Sequence, residues 1–259
     1  MIQELEKALG IKPKIAINLC TSTLEKSVEE FISQLNELGY KTYKRYVIEG
    51  YPRETNKVVS EKGYGSDEYI PISKPLVIVT GAASNSGKMS TCLGQIYHDQ
   101  QKGISSGYAK YETFPIWTLP LEHPVNLAYE AATADIGDYN MIDTYHLEAY
   151  GQRSVNYNRD VEAFEIIQLL SDKIVERSNF MRNYRSPTDM GINHAGFAIT
   201  DDEVVCIASL REIKRRANWY SEIAARGQGT METIQKCLEI EKKAVKYIND
   251  KGYNLNLHL

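Results

Sequence analysis

A glycine-rich segment between residues 81 and 91 carries the strongest chemical signal in the sequence. It reads Gly81-Ala-Ala-Ser-Asn-Ser-Gly87-Lys88-Met-Ser-Thr91, follows the apolar run LVIVT (76–80) and opens a helical pattern that runs to about Gln101. Backbone N–H groups of such a loop converge on an anion, and a helix N-terminus adds partial positive charge. We therefore predict a nucleoside triphosphate site in which Lys88 reaches the outer phosphates.

The spacing of this segment differs from that of the commonest phosphate loop. Five residues, not four, separate Gly81 from Gly87, and Met89 stands where a serine or threonine usually ligates magnesium. We expect Ser90, Thr91 or water to take that role, and a glycine turn that only caps a helix is the alternative. The predicted nucleotide contacts are Gly81, Ser84, Asn85, Ser86, Gly87, Lys88, Met89, Ser90 and Thr91.

Acidic residues are concentrated in the segment that follows the glycine-rich one. They are Glu112, Asp135, Asp143 and Glu148, with His146 among them. Magnesium bound to nucleotide phosphates needs one or two carboxylates. Asp143 is the first candidate for this metal and Glu112 the second, although for each residue a solvated loop acid is an equal alternative.

Two further side chains have the chemistry of a site residue. His146 is a candidate general acid or base because its pKa lies near neutrality, although a lone histidine is more often structural. Arg159 is a candidate for binding an anionic substrate through two hydrogen bonds, or it forms an ion pair with Asp160 at a helix start. His123 precedes Pro124 and predicts the start of a helix.

The elements around these residues predict a three-layer α/β fold with a mainly parallel sheet, a phosphate-loop nucleotide site and a C-terminal helical layer. We expect an α/β core over residues 1–160 and a mainly helical part over residues 161–259. Strands are predicted at 14–20, 41–48, 76–80 and 106–111, and a short strand or a turn at 139–142. Helices are predicted from Leu24 to an end at Gly39 and at 88–101, 124–134, 161–176, 202–226 and 231–249.

The composition narrows the class of function. A net charge of -4 gives no basic field for nucleic acid, and no stretch of eighteen apolar residues is available to cross a membrane. The four cysteines lack the spacing of a zinc site or a disulfide framework. We expect a cytoplasmic enzyme with small-molecule partners, and homo-oligomer formation is left open.

The glycine-rich segment resembles the phosphate loop of the dethiobiotin synthetase group, in which five residues also separate a glycine from Gly-Lys. In that group a lysine on the next strand faces the phosphates and substrate, and GYAKYET (107–113) has the same place in the order here. A later helix opens with a proline and small residues, as HPVNLAYEAA (123–132) does. The resemblance implies ATP-dependent phosphorylation of a carboxylate or carbamate, with Lys110, Glu112 and Asn126 at the substrate.

Five long blocks carry a resemblance that covers almost the whole chain. They are SGYAKYETFPIW (106–117), HPVNLAYEAATAD (123–135), NMIDTYHLEAYG (140–151), VNYNRDVEAF (155–164) and SPTDMGIN (186–193). Through these blocks the sequence is similar to the bacterial family catalogued as domain of unknown function 1846. Typical members are about twice this length, so we expect a short, central-segment version.

Together these features predict a ligase or kinase that uses ATP and Mg²⁺ to phosphorylate a small acidic substrate. Lys88 holds the triphosphate, Lys110 offsets charge as the γ-phosphoryl group moves, and His146 is a third catalytic candidate. Arg159 joins the substrate contacts. One alternative is a transferase or hydrolase that uses Asp143, His146 and Glu148 on a phosphorylated small molecule. Another is a module that senses nucleotide without turnover.

Overall fold

The computed structural model describes residues 2–81 and 86–257, and they form a mixed α/β structure rich in helix. The helices are α1 (Ile2–Leu9), α2 (Glu25–Glu37), α3 (Thr55–Val58), α4 (Lys88–Gln101), α5 (Pro124–Ala132), α6 (Thr144–Tyr150), α7 (Asn158–Ile174), α8 (Asp202–Ala225) and α9 (Met231–Asp250). The strands are β1 (Lys14–Cys20), β2 (Lys41–Tyr46), β3 (Lys110–Tyr111), β4 (Asn140–Ile142), β5 (Val155–Tyr157) and β6 (Gly191–Ile192).

These residues group into two compact units. The first comprises Met1–Tyr108 and Ile166–Arg182, and the second comprises Ala109–Glu165 and Asn183–Leu259. Helix α7 therefore contributes residues to both. The expected division into 1–160 and 161–259 is a different grouping, and it stays a prediction.

The first unit contains the predicted βαβ arrangement. Strands β1 and β2 pair in parallel, with Lys14 opposite Lys41, and helix α2 connects them. Leu35 is the buried residue of α2, and Gly39 ends the connection with a positive φ of 78°. Glycine takes this conformation without steric cost, which lets the chain turn directly from helix into strand.

The apolar run at 76–80 was predicted as a strand, and this prediction is wrong. The run has no strand assignment, and Leu76 and Ile78 are 77% and 83% exposed. A parallel strand is normally buried on both faces by its neighbours. Its apolar side chains indicate that it is suited to a sheet, but no strand of the described residues pairs with it.

Helix α4 begins at Lys88, as predicted, and runs to Gln101. Gly87 precedes it in the left-handed conformation with φ 83°. The start of α4 is also tied to β2, because Arg45 donates a hydrogen bond to the backbone oxygen of Ser90 at 2.9 Å. Arg45 is buried and pairs with the buried carboxylate of Asp67 at 2.8 Å.

The second unit contains two short sheets and a helical layer. Strands β3 and β6 pair in parallel, whereas β4 and β5 pair antiparallel. Residues 2–81 and 86–257 form three two-stranded sheets, two of which are parallel. The predicted mixed α/β class is therefore confirmed, whereas the prediction of one sheet is wrong. Each of these strands pairs with one other strand, so no wider sheet forms within the described residues.

Helices α5, α8 and α9 form the main apolar core of the second unit. Its residues include the fully buried Ala131, Cys206, Ile213, Cys237, Ala244 and Ile248. The structure confirms the predicted helices in this region to within a few residues at each end. None of the helices in the described part of the chain combines the length and hydrophobicity needed to cross a lipid bilayer.

Candidate functional site

A group of charged and polar side chains in the second unit surrounds Lys110. The Lys110 ammonium lies 2.6 Å from Glu112 Oε1 and forms short contacts with Asp160 Oδ2 and with the Tyr157 hydroxyl. It also lies 4.2 Å from the centre of the Tyr157 ring. We call Lys110, Glu112, Tyr157 and Asp160 the Lys110 cluster. One cation in it faces two carboxylates.

Local structure explains why these side chains meet. Lys110 and Glu112 are two positions apart in an extended segment, so they point to the same face. The backbone N–H of Lys110 donates to Met190 and that of Glu112 to Ile192, which fixes the segment against β6. Tyr157 is the last residue of β5 and Asp160 lies in the first turn of α7.

Burial changes the acidity of Glu112. Its side chain is 6% exposed, and this burial raises the pKa of Glu112 to about 7. Lys110 opposes the shift and the negative charge of Asp160 adds to it. A buried carboxyl group that exchanges its proton near neutral pH has the property required of a general acid or base.

A second ion pair extends from the same strand–helix junction. The Arg159 guanidinium lies 2.7 Å from the buried carboxylate of Asp138 and 5.6 Å from the centre of the Tyr157 ring. Asp138 is therefore an ion-pair partner of Arg159, and Asp160 lies against Lys110. The substrate-binding role of Arg159 stays a prediction, and Asp138 holds the guanidinium in place.

Asp143 and His146 occupy a hydrogen-bonded helix start. Asp143 is fully buried, and its two carboxylate oxygens accept from the backbone N–H of His146 and from Thr188. These bonds are those of a helix cap, which is a structural function. The predicted metal role of Asp143 stays a prediction, and any ion there must compete with these donors. Glu148 is exposed on the same helix.

His146 lies near a serine and an aspartate, but the three do not have the geometry of a catalytic triad. Its Nδ1 is 3.0 Å from Ser186 Oγ and 3.8 Å from Asp189 Oδ1. A triad needs the serine and the carboxylate on opposite ring nitrogens. Ser186 is also completely buried and accepts from the Asp189 backbone. This arrangement favours a structural role for His146, whose catalytic role stays a prediction.

His123, Asp202 and Cys206 come close enough together to suggest a metal site. However, His123 Nδ1 accepts the Val125 N–H at 3.2 Å, so Nε2 carries the ring proton and donates to Asp202 at 2.9 Å. A metal on Nε2 would need that nitrogen deprotonated. Burial also raises the pKa of Cys206 to about 12, which keeps the thiol protonated. These residues fit a helix cap, as the sequence predicts for His123, better than a metal.

The described part of the glycine-rich segment lies in the first unit. Lys88 is exposed at the start of α4, Met89 follows it, and the Thr91 hydroxyl donates to the Gly87 backbone and to Asn18. Ser84 and Asn85 lie outside the described residues. A Cβ on Gly81 would lie 2.2 Å from Ser86 Oγ, and a Cβ on Gly87 would lie 2.9 Å from Asn18 Nδ2. Any larger residue at either position would therefore require a neighbouring side chain to move.

Asn126, predicted to contact substrate, is fully buried. Its side chain accepts from the backbone N–H of Ile116 at 2.7 Å and donates to the oxygen of the same residue at 3.0 Å. These bonds fix the segment before α5. Its contact with substrate stays a prediction.

Sequence reasoning missed Tyr157, Asp138 and the pairing of Asp160 with Lys110. The only available signal was the dense polar string at 155–160, which lies at a strand–helix junction. The pattern did not indicate that this junction faces the segment around Lys110.

Comparison with known proteins identifies the family of the chain. The family model described as "Domain of unknown function DUF1846, N-terminal" matches residues 5–245. The chain belongs to this family. The matched model is the N-terminal one, whereas a central segment was expected. The resemblance to the phosphate loop of the dethiobiotin synthetase group stays a prediction.

Relatives named UPF0371 proteins support the same assignment. The protein of Clostridioides difficile strain 630 is 51% identical over 186 residues, which are 72% of this chain and 36% of the relative. One from Streptococcus thermophilus strain LMD-9 is 48% identical over 216 residues, 83% of this chain and 43% of the relative. The chain thus spans less than half the length of these family members.

Proposed function

We propose that this member of the family is an enzyme that transfers a proton to or from a small polar substrate, with Glu112 as the general acid or base. The observation that supports it is the buried Glu112 carboxyl group, whose pKa is raised to about 7 beside a lysine. A catalytic group is most effective when its pKa lies near the working pH. Perturbed carboxylates are also concentrated at functional sites.

The neighbouring side chains have distinct roles in this proposal. Lys110 places positive charge beside Glu112, so that the ionised form remains accessible despite burial. Asp160 holds the Lys110 ammonium and raises the proton affinity of Glu112. The Tyr157 hydroxyl contacts Lys110 and is a second polar group available to a substrate.

The direct test is a ¹³C NMR titration of the protein labelled at glutamate carboxyl carbons, with Glu112→Gln identifying the resonance. We expect a midpoint near pH 7. A midpoint below about 5, close to that of an unperturbed glutamate, would remove the basis of the proposal.

Catalysis is then tested by incubating carbonyl-containing metabolites with the protein in D₂O and following loss of C–H signals. Proton exchange should fall about 10²- to 10⁴-fold in Glu112→Gln, because general acid–base catalysis contributes that much. The control is Glu162→Gln, which alters an exposed glutamate of α7. An equal loss in both variants would contradict a catalytic role for Glu112.

The second candidate function is nucleotide-dependent phosphoryl transfer at the glycine-rich segment. It is favoured by the entry into α4, where a left-handed Gly87 is followed by the exposed Lys88 at the N-terminus of a 14-residue helix. Such an end attracts phosphate. A ligase or kinase using ATP and Mg²⁺, with Thr91 or Ser90 near the metal, is the form of this proposal. Lys110, which this form of the proposal uses to offset charge on the γ-phosphoryl group, already contacts two carboxylates, Asp160 and Glu112.

Calorimetric titration with Mg·ATP tests this second candidate. Lys88→Ala should weaken binding about tenfold or more, since charge-assisted hydrogen bonds to phosphate are lost. Lys102→Ala removes the same charge at the opposite end of α4 and should leave binding unchanged. Equal curves for the two variants, or no binding by the parent protein, would contradict it.

A further inference from the structure

The Lys110 cluster and the Arg159 ion pair lie around one aromatic ring. The Lys110 ammonium is 4.2 Å from the centre of the Tyr157 ring, and the Arg159 guanidinium carbon is 5.6 Å from it. Both cations come within the distance at which a charge is attracted to an aromatic face. They therefore belong to one site, in which Glu112 lies 2.6 Å from the Lys110 ammonium.

Tyr129 is a second indication that the two ion pairs share one environment. Its ring centre is 6.3 Å from that of Tyr157. Burial raises the pKa of the Tyr129 hydroxyl, and the negative charges of Asp138 and Glu112 raise it further, whereas Arg159 lowers it. One hydroxyl group thus interacts with charges from both ion pairs.

The exposed part of the charge at this site is positive. The side chains of Arg159 and Lys110 are 36% and 23% exposed. The carboxylates beside them are at most 7% exposed; they are Asp138, Glu112 and Asp160. A molecule that approaches from solvent therefore meets the two cations before the acids, which favours a substrate with a negative charge.

Asp138 orients the Arg159 guanidinium without using all of its donors. The Asp138 carboxylate lies 2.7 Å from Nε and accepts a hydrogen bond from Nη2 at 2.8 Å. A guanidinium has five N–H donors in a planar fork, so it can contact a second carboxylate at another edge. Because its position is held by a buried partner, the group is preorganised to recognise a carboxylate.

The reaction narrows the chemistry of that anion further. A carboxylate base can remove a proton from carbon where the negative charge that develops is delocalised, as it is next to a carbonyl group. A compound with both features, a carboxylate and a carbonyl group, is an oxo acid.

We propose that this site binds a small oxo acid, with its carboxylate group on Arg159 and the C–H bond next to its carbonyl group at Glu112. The second part rests on the proposed proton transfer. The C–H bond breaks, its proton goes to the Glu112 carboxylate, and its electron pair passes to the carbonyl oxygen as an enolate. Lys110 places positive charge beside this enolate. Return of a proton from Glu112 restores the C–H bond, so no other reactant is consumed.

The first test compares pyruvate, 2-oxobutyrate, acetoacetate and 2-oxoglutarate with their methyl esters, which lack the negative charge. Loss of C–H signals in D₂O is followed by ¹H NMR with the full chain, above the uncatalysed rate. At least one acid should be exchanged with a kcat/KM about tenfold or more above that of its ester. The reason is that the ester cannot form a charge-assisted pair with Arg159.

Variants of Arg159 separate binding from structure. Arg159→Ala should raise the KM of the acid at least about tenfold and leave that of the ester unchanged, whereas a structural loss would affect both. Arg159→Lys keeps the charge facing Asp138 and should restore part of the affinity, because lysine lacks the planar fork. Arg153→Ala removes an exposed arginine before β5 and should change neither KM. If Arg159→Ala does not fold, Arg159→Lys and the esters decide the question.

Calorimetry with Glu112→Gln distinguishes this inference from the proton transfer. The variant cannot accept the proton but should bind the acid more tightly than its ester. Binding that depends on Arg159, without exchange by the parent protein, would support the carboxylate site and overturn the proton transfer. Exchange that depends on Glu112 but is equal for acids and esters would support the proton transfer and overturn the oxo acid. Binding of none of the acids, or equal KM values in Arg159→Ala and Arg153→Ala, would also overturn it.

Discussion

Two groups of buried charges in this chain differ in balance and in access. In the first unit, Arg45 faces a single carboxylate, Asp67, and both side chains are at least 97% buried. The other oxygen of Asp67 accepts the Tyr46 backbone N–H at 2.8 Å. In the second unit, Lys110 faces both Glu112 and Asp160, and its side chain is 23% exposed.

The comparison separates a structural ion pair from a candidate reactive site. The Arg45 pair has one cation for one carboxylate, and its hydrogen bonds tie β2 to the start of α4. The Lys110 cluster has an excess carboxylate, and the proton affinity of Glu112 rises because burial and Asp160 both disfavour its ionised form. Burial raises the pKa of Asp67 as well, and Arg45 opposes that shift. The two groups therefore differ in the added negative charge of Asp160, which raises the pKa of Glu112 further.

The largest expected effect on stability is at the matched pair. Asp67→Ala leaves the Arg45 guanidinium buried without a carboxylate, which should cost about 3–5 kcal/mol of unfolding free energy. The matched control is Glu49→Ala, which breaks the 2.6 Å pair with Lys57 at the surface and should cost far less. Urea unfolding followed by circular dichroism measures both. Similar losses in the two variants would show that burial does not distinguish these pairs.

The next effect is a pH dependence of stability that depends on Glu112. Its pKa is about 7 in the folded chain and near 4.5 in the unfolded chain, so between these values the folded state holds a proton that the unfolded state has released. Raising the pH from 4 to 8 therefore destabilises the fold through this residue, by an amount on the order of 3 kcal/mol. Glu112→Gln cannot ionise and should lose this part of the pH dependence.

Urea unfolding of the parent protein, Glu112→Gln and the control Glu162→Gln at pH 4, 6 and 8 measures this dependence. The difference between the parent and Glu112→Gln should change with pH, while that between the parent and Glu162→Gln should stay constant. A constant difference for Glu112→Gln would mean that Glu112 has the same pKa in the folded and unfolded states.

The smallest expected effects are shifts in the pKa of Glu112 when its charged neighbours are removed. Asp160→Asn should lower that pKa, because the negative charge of Asp160 raises it, and Lys110→Met should raise it, because Lys110 lowers it. The glutamate ¹³C titration described above detects both shifts. Two shifts in the same direction would indicate that burial alone, and not this arrangement of charges, controls the acidity of Glu112.

Much of the local structure was predictable from sequence. The 3.6-residue spacing of apolar side chains identified α8 and α9 almost to their ends, and the alternation of strand and helix patterns predicted the parallel pairing of β1 and β2. The run at 76–80 has an equally clear pattern but is not a strand. A strand depends on hydrogen bonds to a partner, whereas a helix satisfies its own backbone.

For the candidate site, the sequence singled out Lys110, Glu112 and Arg159 as polar residues of interest, but it could not determine their partners. Lys110 and Glu112 share a face because of the two-residue period of an extended segment, which is a local property. Asp160 lies 50 residues from Lys110 along the chain, and Asp138 lies 21 residues from Arg159. Which acid meets which base was decided only by the tertiary structure, because charge pairing and burial depend on side chains brought together by packing.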